Sequence, residues 1–204
     1  STVLSVILFL SQDVSHVIPT QQFAIELKQI DKRFGAVHAN RSIDLQVPAG
    51  TIHGIIGENG AGKSTLMSII YGFYTPDSGE MTVNGHPYRP SNSQDAIAAG
   101  IGMVHQHFML VDTFTVLENI ILGAESGWKL DDSLSVAKKK LQQIEKDYGL
   151  EVPLDALVGD LPVGLQQRVE ILKALYRDAK ILILDEPTGV LTPQEADHLF
   201  KILD

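Results

Sequence analysis

The residues that could do chemistry begin with a short glycine-rich stretch, GENGAGKST at positions 57–65. It contains three glycines, one lysine and two hydroxyls, and it directly follows the apolar segment TIHGII. Because glycine has no Cβ, the backbone amides of such a loop can turn inward around a phosphate chain. Four positions match the spacing G-x-x-x-x-G-K-[ST], namely Gly57, Gly62, Lys63 and Ser64. The stretch therefore predicts a cradle for phosphates.

The charged and hydroxyl groups of this loop suit a phosphate chain that carries a magnesium ion. A helix that begins near Lys63 adds free N-terminal amides and the positive end of its dipole. Lys63 brings a positive charge to the outer phosphates, the Ser64 hydroxyl can bind Mg²⁺, and Thr65 can bond an inner phosphate. The remaining loop positions complete the predicted phosphate-binding set: Gly57, Glu58, Asn59, Gly60, Ala61 and Gly62.

An acidic pair, Asp185 and Glu186, ends the continuous apolar run ILIL. Such a run is typical of a strand buried on both faces of a parallel sheet, and ligands of open α/β folds bind at the carboxyl edge of that sheet. We expect Asp185 to serve the Mg²⁺ shell and Glu186 to orient and deprotonate an attacking water, since phosphoryl transfer needs positioning and charge stabilisation. Alone, the pair would more often be a solvated strand end. The phosphate loop earlier in the chain favours the functional interpretation.

The elements around these motifs follow from hydrophobic periodicity. FAIELKQ and SIDLQV alternate apolar and polar residues, which predicts two antiparallel strands, whereas TIHGII, IGMVHQ and ILIL are short apolar runs typical of buried strands. STLMSIIYGF, SQDAIAAG and GLQQRVEILKALYRDA predict helices. The region after Thr115 is helical too, with one apolar stripe at Leu134, Ala137, Leu141, Ile144 and Tyr148. We therefore expect a helical insert within an α/β core.

Composition limits the alternatives. The 204 residues are 44% apolar, enough for a substantial core, and a net charge of −9 without a basic patch argues against a nucleic-acid partner. There are no cysteines, which excludes disulfides and thiolate metal sites. The apolar opening STVLSVILFLSQ is shorter than the roughly 20 residues of a membrane-spanning helix. We expect it to be an extension without function, and we expect the chain to be part of a longer protein because it lacks an initial Met and stops inside a helical pattern.

Four motifs, in this order, resemble those of the nucleotide-binding subunit of ATP-binding cassette (ABC) transporters: GENGAGKST, MVHQHF around Gln106, VGLQQRVEILKAL and ILILDEPT. The resemblance covers residues from about 23 to 204. It implies an α/β fold with a P-loop NTPase (RecA-like) core, an antiparallel β subdomain and an α-helical subdomain, incomplete at the C-terminus. The core would span about 23–106 and 162–204, the helical lobe about 107–161, and residues 1–22 would be an extension of unknown role.

The resemblance also implies roles for single residues. ATP and Mg²⁺ would be bound by Lys63, Ser64 and Thr65 with Asp185, and Glu186 would be the general base. Gln106 would sense Mg²⁺ and the attacking water while linking the lobes, so that the implied catalytic set is Glu186, Gln106 and Lys63. Phe34, in KRFG, matches the aromatic residue that stacks on adenine. Without the resemblance, Gln106 would be interpreted as a plain loop residue and Phe34 as a core aromatic; the flanking histidines at 105 and 107 have no third ligand nearby in sequence.

One motif departs from the family pattern. The family signature LSGGQ donates a serine hydroxyl and a glycine-rich helix start to the site of the opposite subunit, whereas this chain reads LPVGL at residues 161–165. Pro162 offers neither hydroxyl nor amide, so the composite site loses at least one charge-assisted hydrogen bond, about 1.5–3 kcal/mol. The residues that would face the partner site are Val163, Gly164, Leu165 and Gln166. The switch histidine of the family would lie beyond residue 204.

The stretch VGLQQRVEILKALYR, followed by EPTGVLTPQE, resembles the branch that imports nucleosides and simple sugars with two tandem cassettes on one polypeptide. The chain would then be most of the first cassette, an ATPase peripheral to the cytoplasmic face of the cell (inner) membrane. Its implied partners are transmembrane permease subunits, a second cassette and, indirectly, an extracytoplasmic solute-binding protein. Two alternatives stay open: a nucleotide-dependent switch or degenerate cassette with little hydrolysis, and a soluble ABC ATPase acting on nucleic acid or ribosomes, although no long coiled coil or basic linker is present.

Overall fold

The computed structural model describes residues 2–9, 23–104, 109–122 and 130–185. These residues form two compact units. The first comprises residues 2–9, 23–103 and 180–185, and the second comprises the described residues between 104 and 179.

The first unit contains two four-stranded sheets and two helices. The strands are β1 (Thr2–Phe9), β2 (Phe23–Phe34), β3 (Val37–Pro48), β4 (Ile52–Glu58), β5 (Ser78–Val83), β6 (His86–Pro87), β7 (Ile101–Val104) and β8 (Ile181–Asp185). The helices are α1 (Lys63–Ile70) and α2 (Ser93–Ala98). One sheet has the order β4-β1-β8-β7 and the other the order β3-β2-β5-β6, and one cluster of buried side chains connects both sheets with α1 and α2.

The antiparallel sheet is built on the pair β2 and β3, which the alternating patterns of FAIELKQ and SIDLQV predict. Leu27 lies opposite Leu45, and Ile25 lies opposite Val47. Ile25, Leu27 and Val47 are almost fully buried, because alternation places these apolar side chains on the face that covers the core. The expected antiparallel β subdomain is confirmed.

The other sheet is organised around β1. This strand pairs antiparallel with β4, where Thr2 is opposite Glu58, and with β8, where Ser5 is opposite Asp185. Since both neighbours run opposite to β1, β4 and β8 are parallel to each other and end at the same edge. Ile7, in the middle of β1, is completely buried.

The position of β1 differs from the expectation that residues 1–22 are an extension without function, because residues 2–9 form an inner strand of the sheet. The physical reason is the composition of TVLSVILF, which is apolar enough to be covered by neighbours on both faces. A run of this length has no periodicity that separates an inner strand from an apolar tail.

The second unit is helical. It contains α3 (Val116–Ile121), α4 (Leu130–Tyr148), a 3-10 turn (Val158–Asp160) and α5 (Val163–Tyr176). A capping box between Thr115 and Glu118 begins α3, and α5 packs against both α3 and α4. The expected stripe on α4 is present, since Ala137 and Leu141 are buried. Among the described helices, none combines the length and apolarity that crossing a membrane requires.

Helix α5 was expected in the core, yet it belongs to the helical unit. Its buried residues include Val169, Ile171 and Leu172, and the elements that it contacts most are α3 and α4. Periodicity predicted the helix but not which elements pack on it.

Candidate functional site

The glycine-rich loop lies between the end of β4 at Glu58 and the start of α1 at Lys63. Gly60 and Gly62 have left-handed backbone conformations, with φ of +80° and +85°. A Cβ on Gly60 would meet nothing within 4 Å, whereas a Cβ on Gly62 would lie 2.1 Å from the backbone oxygen of Ala39. Position 62 therefore requires glycine for two reasons, its backbone conformation and the close approach of β3.

Asn40, on β3, supports this loop and was not singled out by the sequence. Its Nδ2 donates a hydrogen bond of 3.0 Å to the carbonyl of Gly62, and the residue is only 3% exposed. No sequence pattern relates a single Asn in a strand to a loop elsewhere in the chain, so this contact could not be predicted. Together with the close approach of Ala39, this bond fixes the loop against the antiparallel sheet.

Lys63 points its charge back into the loop. Its Nζ donates to the carbonyl oxygens of Gly57 at 2.9 Å and Glu58 at 2.8 Å, and the residue is 8% exposed. The N-cap of α1, Gly62, has no side chain to cap the first amides, and the first turn has no acidic residue. The amides at the start of α1, with Ser64 and Thr65, therefore combine with the lysine to favour an anion.

Ser64 and Asp185 meet although they are 121 residues apart in the sequence. The Ser64 hydroxyl donates to Oδ1 of Asp185 over 3.1 Å, and Asp185 is 7% exposed. The contact exists because α1 starts, and β8 ends, at the same edge of the sheet. A hydroxyl and a carboxylate side by side are hard oxygen ligands of the kind that Mg²⁺ takes together with substrate phosphates. The described residues thus fit a magnesium–phosphate group at this edge.

Phe34 is the last residue of β2 and is 42% exposed. The interpretation of Phe34 as a core aromatic is therefore wrong. Its ring centroid lies 5.1 Å from that of Tyr74, with an interplanar angle of 71°. Its role toward adenine stays a prediction.

The segment expected to face a partner site forms the first turn of α5. Pro162 is the N-cap and provides no side-chain hydrogen bond, Val163 is 64% exposed, and a Cβ on Gly164 would meet nothing within 4 Å. Gln166 is used inside its own unit, because its Nε2 donates to the carbonyls of Val158 and Leu161. Leu165 follows Gly164 in the same turn.

Two other predicted residues, Gln106 and Glu186, lie outside the described residues. The backbone of Met109, three positions after Gln106, is held by α5: Glu170 accepts its amide, and Lys173 donates to its carbonyl over 3.2 Å. Burial raises the pKa of Glu170 and lowers the pKa of Lys173. This pair was not predicted, since nothing in a helical pattern marks a contact to a distant backbone.

Comparison with known proteins agrees with this geometry. The profile of the ABC transporter family matches residues 40–189. The chain is 47% identical over 213 aligned residues to the glucose import ATP-binding protein TsgD13 of Haloferax volcanii, covering 91% of this chain and 39% of that protein. It is 52% identical over 179 residues to the nucleoside import ATP-binding protein NupA of Lactococcus lactis, covering 88% of this chain and 35% of the relative.

A solved nucleotide-free ATP-binding cassette from an ABC transporter superposes with a TM-score of 0.70 at 26% identity, covering 88% of this chain and 75% of that chain. The chain spans little more than a third of the length of the two curated relatives. The profile match covers most of the chain, including the phosphate loop and Asp185. The chain therefore belongs to the ABC transporter family.

Proposed function

We propose that the chain is the ATP-binding and ATP-hydrolysing part of an ABC importer that powers uptake of a small polar solute, a nucleoside or a simple sugar. The observation that carries the proposal is the contact of Ser64, in the phosphate loop, with Asp185 at the end of β8. That contact joins the two halves of a nucleotide site. Relatives named for nucleoside and glucose import support the solute class.

The phosphate loop binds the nucleotide by its backbone and one cation. The loop amides and the first amides of α1 donate hydrogen bonds to the phosphate oxygens. Lys63 gives up its hydrogen bonds to the carbonyls of Gly57 and Glu58 and donates to phosphate oxygens. Because Nζ already lies in the loop, it moves little when the nucleotide binds. Phe34 binds the adenine. ATP selection thus combines a charged phosphate site with an exposed aromatic.

Ser64 and Asp185 would hold Mg²⁺, and the ion would neutralise part of the negative charge of the phosphates. Asp185 comes from a strand with all five residues buried, so its position is fixed by the sheet. Glu186 follows directly and orients and deprotonates the attacking water, while Gln106 senses Mg²⁺ and that water.

The partners follow from the same proposal. A second cassette lends its signature to this site, and the segment Val163–Gln166 is lent in return. Transmembrane permease subunits and, indirectly, an extracytoplasmic solute-binding protein complete the importer. The chain is peripheral to the cytoplasmic face of the inner membrane.

A second candidate function is a nucleotide-dependent switch with little hydrolysis. It is favoured by Pro162 at the N-cap of α5, where the family pattern has a serine hydroxyl. A composite site that receives this turn closes on ATP with fewer hydrogen bonds to the γ-phosphate. The two candidates differ in turnover, not in binding.

Reconstitution tests both candidates. The full-length protein, assembled with its permeases in proteoliposomes, is assayed for ATP hydrolysis and solute uptake with Glu186→Gln and with the charge-matched control Glu151→Gln, an exposed position. We expect Glu186→Gln to retain ATP binding and to lose hydrolysis and uptake, and the control to keep both. ATP-dependent uptake with negligible ATP hydrolysis by the assembled transporter supports the switch. Unaltered hydrolysis in Glu186→Gln places the base elsewhere.

A further inference from the structure

Two aromatic rings stand together at the surface of the first unit. Phe34 and Tyr74 are 42% and 44% exposed, and their centroids are 5.1 Å apart in an edge-to-face arrangement. Large aromatic side chains at the surface lose the free energy of burial, so an exposed pair with defined geometry needs a reason. Phe34 keeps more than a third of its surface open after the contact with Tyr74.

Backbone hydrogen bonds hold Tyr74 at the end of α1. It lies just after α1, where its amide and that of Phe73 donate to the carbonyl of Ser68 at 3.3 Å and 2.8 Å. Since α1 starts at the phosphate loop, Tyr74 stands at the far end of the helix whose first turn faces the phosphates. The eight residues of α1 span about 12 Å.

The hairpin that carries Phe34 is anchored to the same connection. Asp77 accepts from the backbone amide of Arg33 over 2.7 Å and from Lys32 Nζ over 3.1 Å. Lys32 Nζ lies 5.3 Å from the centroid of the Phe34 ring. The segment after α1 thus holds the backbone next to Phe34 through Asp77 and the ring itself through Tyr74.

At its other side the hairpin is attached to the phosphate loop. Asn40, six residues after Phe34 in sequence, donates to the carbonyl of Gly62. The ring of Phe34 is therefore connected to the phosphate loop in two ways, through Asn40 on β3 and through Tyr74 after α1. Two connections restrict the position of the Phe34 ring relative to the phosphate loop more than one would.

We propose that Tyr74 is a positioning residue for the nucleobase: its edge contact holds the Phe34 ring in the orientation that stacks on adenine. The inference rests on the proposed ATP site and deepens it by assigning base affinity to a pair rather than to one residue. Without Tyr74, an exposed phenylalanine at a hairpin end regains its side-chain rotations, and stacking has to order the ring anew.

The test separates base binding from phosphate binding. Dissociation constants for inorganic tripolyphosphate and for Mg-ATP are measured by calorimetry on the full chain, and the ratio of the first constant to the second reports the contribution of the base. We expect Phe34→Ala to lower this ratio about five- to hundredfold, the range for one base–aromatic stack. We expect Tyr74→Ala to lower it about two- to tenfold, the range for one aromatic pair.

Three further variants show whether Tyr74 acts through Phe34. Tyr74→Phe keeps the ring edge and should keep the ratio. The double variant Phe34→Ala/Tyr74→Ala should have the same ratio as Phe34→Ala alone. Phe73→Ala is the matched control, because Phe73 is 39% exposed and contacts Tyr71 instead. It should leave the ratio unchanged.

The contrary outcomes are distinct. The positioning role is refuted if Tyr74→Ala weakens the binding of tripolyphosphate as much as the binding of ATP. It is also refuted if Tyr74→Ala weakens ATP binding equally with and without Phe34→Ala. In both cases the nucleotide site stands. If the wild-type chain binds neither ligand, the proposed function fails and this inference fails with it.

Discussion

Replacing Gly62 by alanine perturbs the point where β3 touches the phosphate loop. The new Cβ would lie 2.1 Å from the oxygen of Ala39 and 2.9 Å from Nδ2 of Asn40. Real Cβ atoms do not approach a neighbour closer than 3.0 Å, so the loop and β3 must separate by about 1 Å at this contact. The neighbour is backbone in a sheet, which cannot rotate away.

The free energy of unfolding should fall by two contributions. Alanine in a left-handed conformation costs about 1–2 kcal/mol, and forcing a methyl group into a packed site costs about 1–3 kcal/mol. The matched control is Gly60→Ala, with nearly the same φ but nothing within 4 Å of its Cβ, so it carries only the first contribution. The two variants should therefore differ by about 1–3 kcal/mol.

Thermal and urea unfolding without nucleotide measure this difference, which for a chain of this size corresponds to about 2–12 °C in midpoint. Displacement of the loop should also cost at least one charge-assisted hydrogen bond to phosphate, and hence at least about tenfold in Mg-ATP affinity. Equal unfolding free energies for Gly60→Ala and Gly62→Ala would refute the claim that close approach by β3 constrains the loop.

Three other predictions concern the magnesium edge, the inner strand and the hairpin. Asp185→Asn and Ser64→Ala should each make ATP binding less dependent on Mg²⁺, which titrations with and without the ion measure; unchanged dependence in both would remove them from the metal site. Ile7→Asp should destabilise the chain by several kcal/mol because Ile7 is completely buried in β1, whereas Ile56→Asp, at a position 71% exposed, should cost much less in urea unfolding. Hydrogen bonds from the Ser42 amide and from His38 lower the pKa of Asp31 below its ordinary 3.8. The stability from Asp31 is therefore full above about pH 4 and is lost as the pH falls through the lowered pKa, so Asp31→Asn should flatten the acid side of the stability profile; an unchanged acid slope contradicts this.

The conformation of the glycine-rich loop was predictable because it depends on residues that are adjacent in the sequence. The spacing from Gly57 to Ser64 encodes backbone conformation directly, and the observed positive φ values at Gly60 and Gly62 agree with it. The meeting of Ser64 with Asp185 was predictable as well, since a buried strand that ends in a carboxylate places it at the carboxyl edge of the sheet. The first consequence lies within one short stretch, and the second follows because both stretches, although 121 residues apart, end at the same edge of the sheet.

The contacts that the sequence did not reveal join stretches with no common pattern. Asn40, on β3, donates a hydrogen bond to Gly62, and the ring of Tyr74, which follows α1, contacts the ring of Phe34 at the end of β2. The place of β1 between β4 and β8 depends on which strands compete for the inner position, and composition alone does not encode that competition. Helix α5 was predicted as a helix, but its neighbours are decided by packing in the helical unit.

The central claim is that residues 57–65 bind the phosphates of ATP with Lys63 as their cation. Calorimetric titration of Mg-ATP into the wild-type chain and Lys63→Ala tests it, with Lys139→Ala, an exposed lysine on α4, as the control. We expect Lys63→Ala to lose most of the affinity, at least about tenfold, because a charge-assisted contact to phosphate is gone, and we expect Lys139→Ala to bind like the wild type. Equal affinity of the wild type and Lys63→Ala would show that Lys63 does not bind the phosphates.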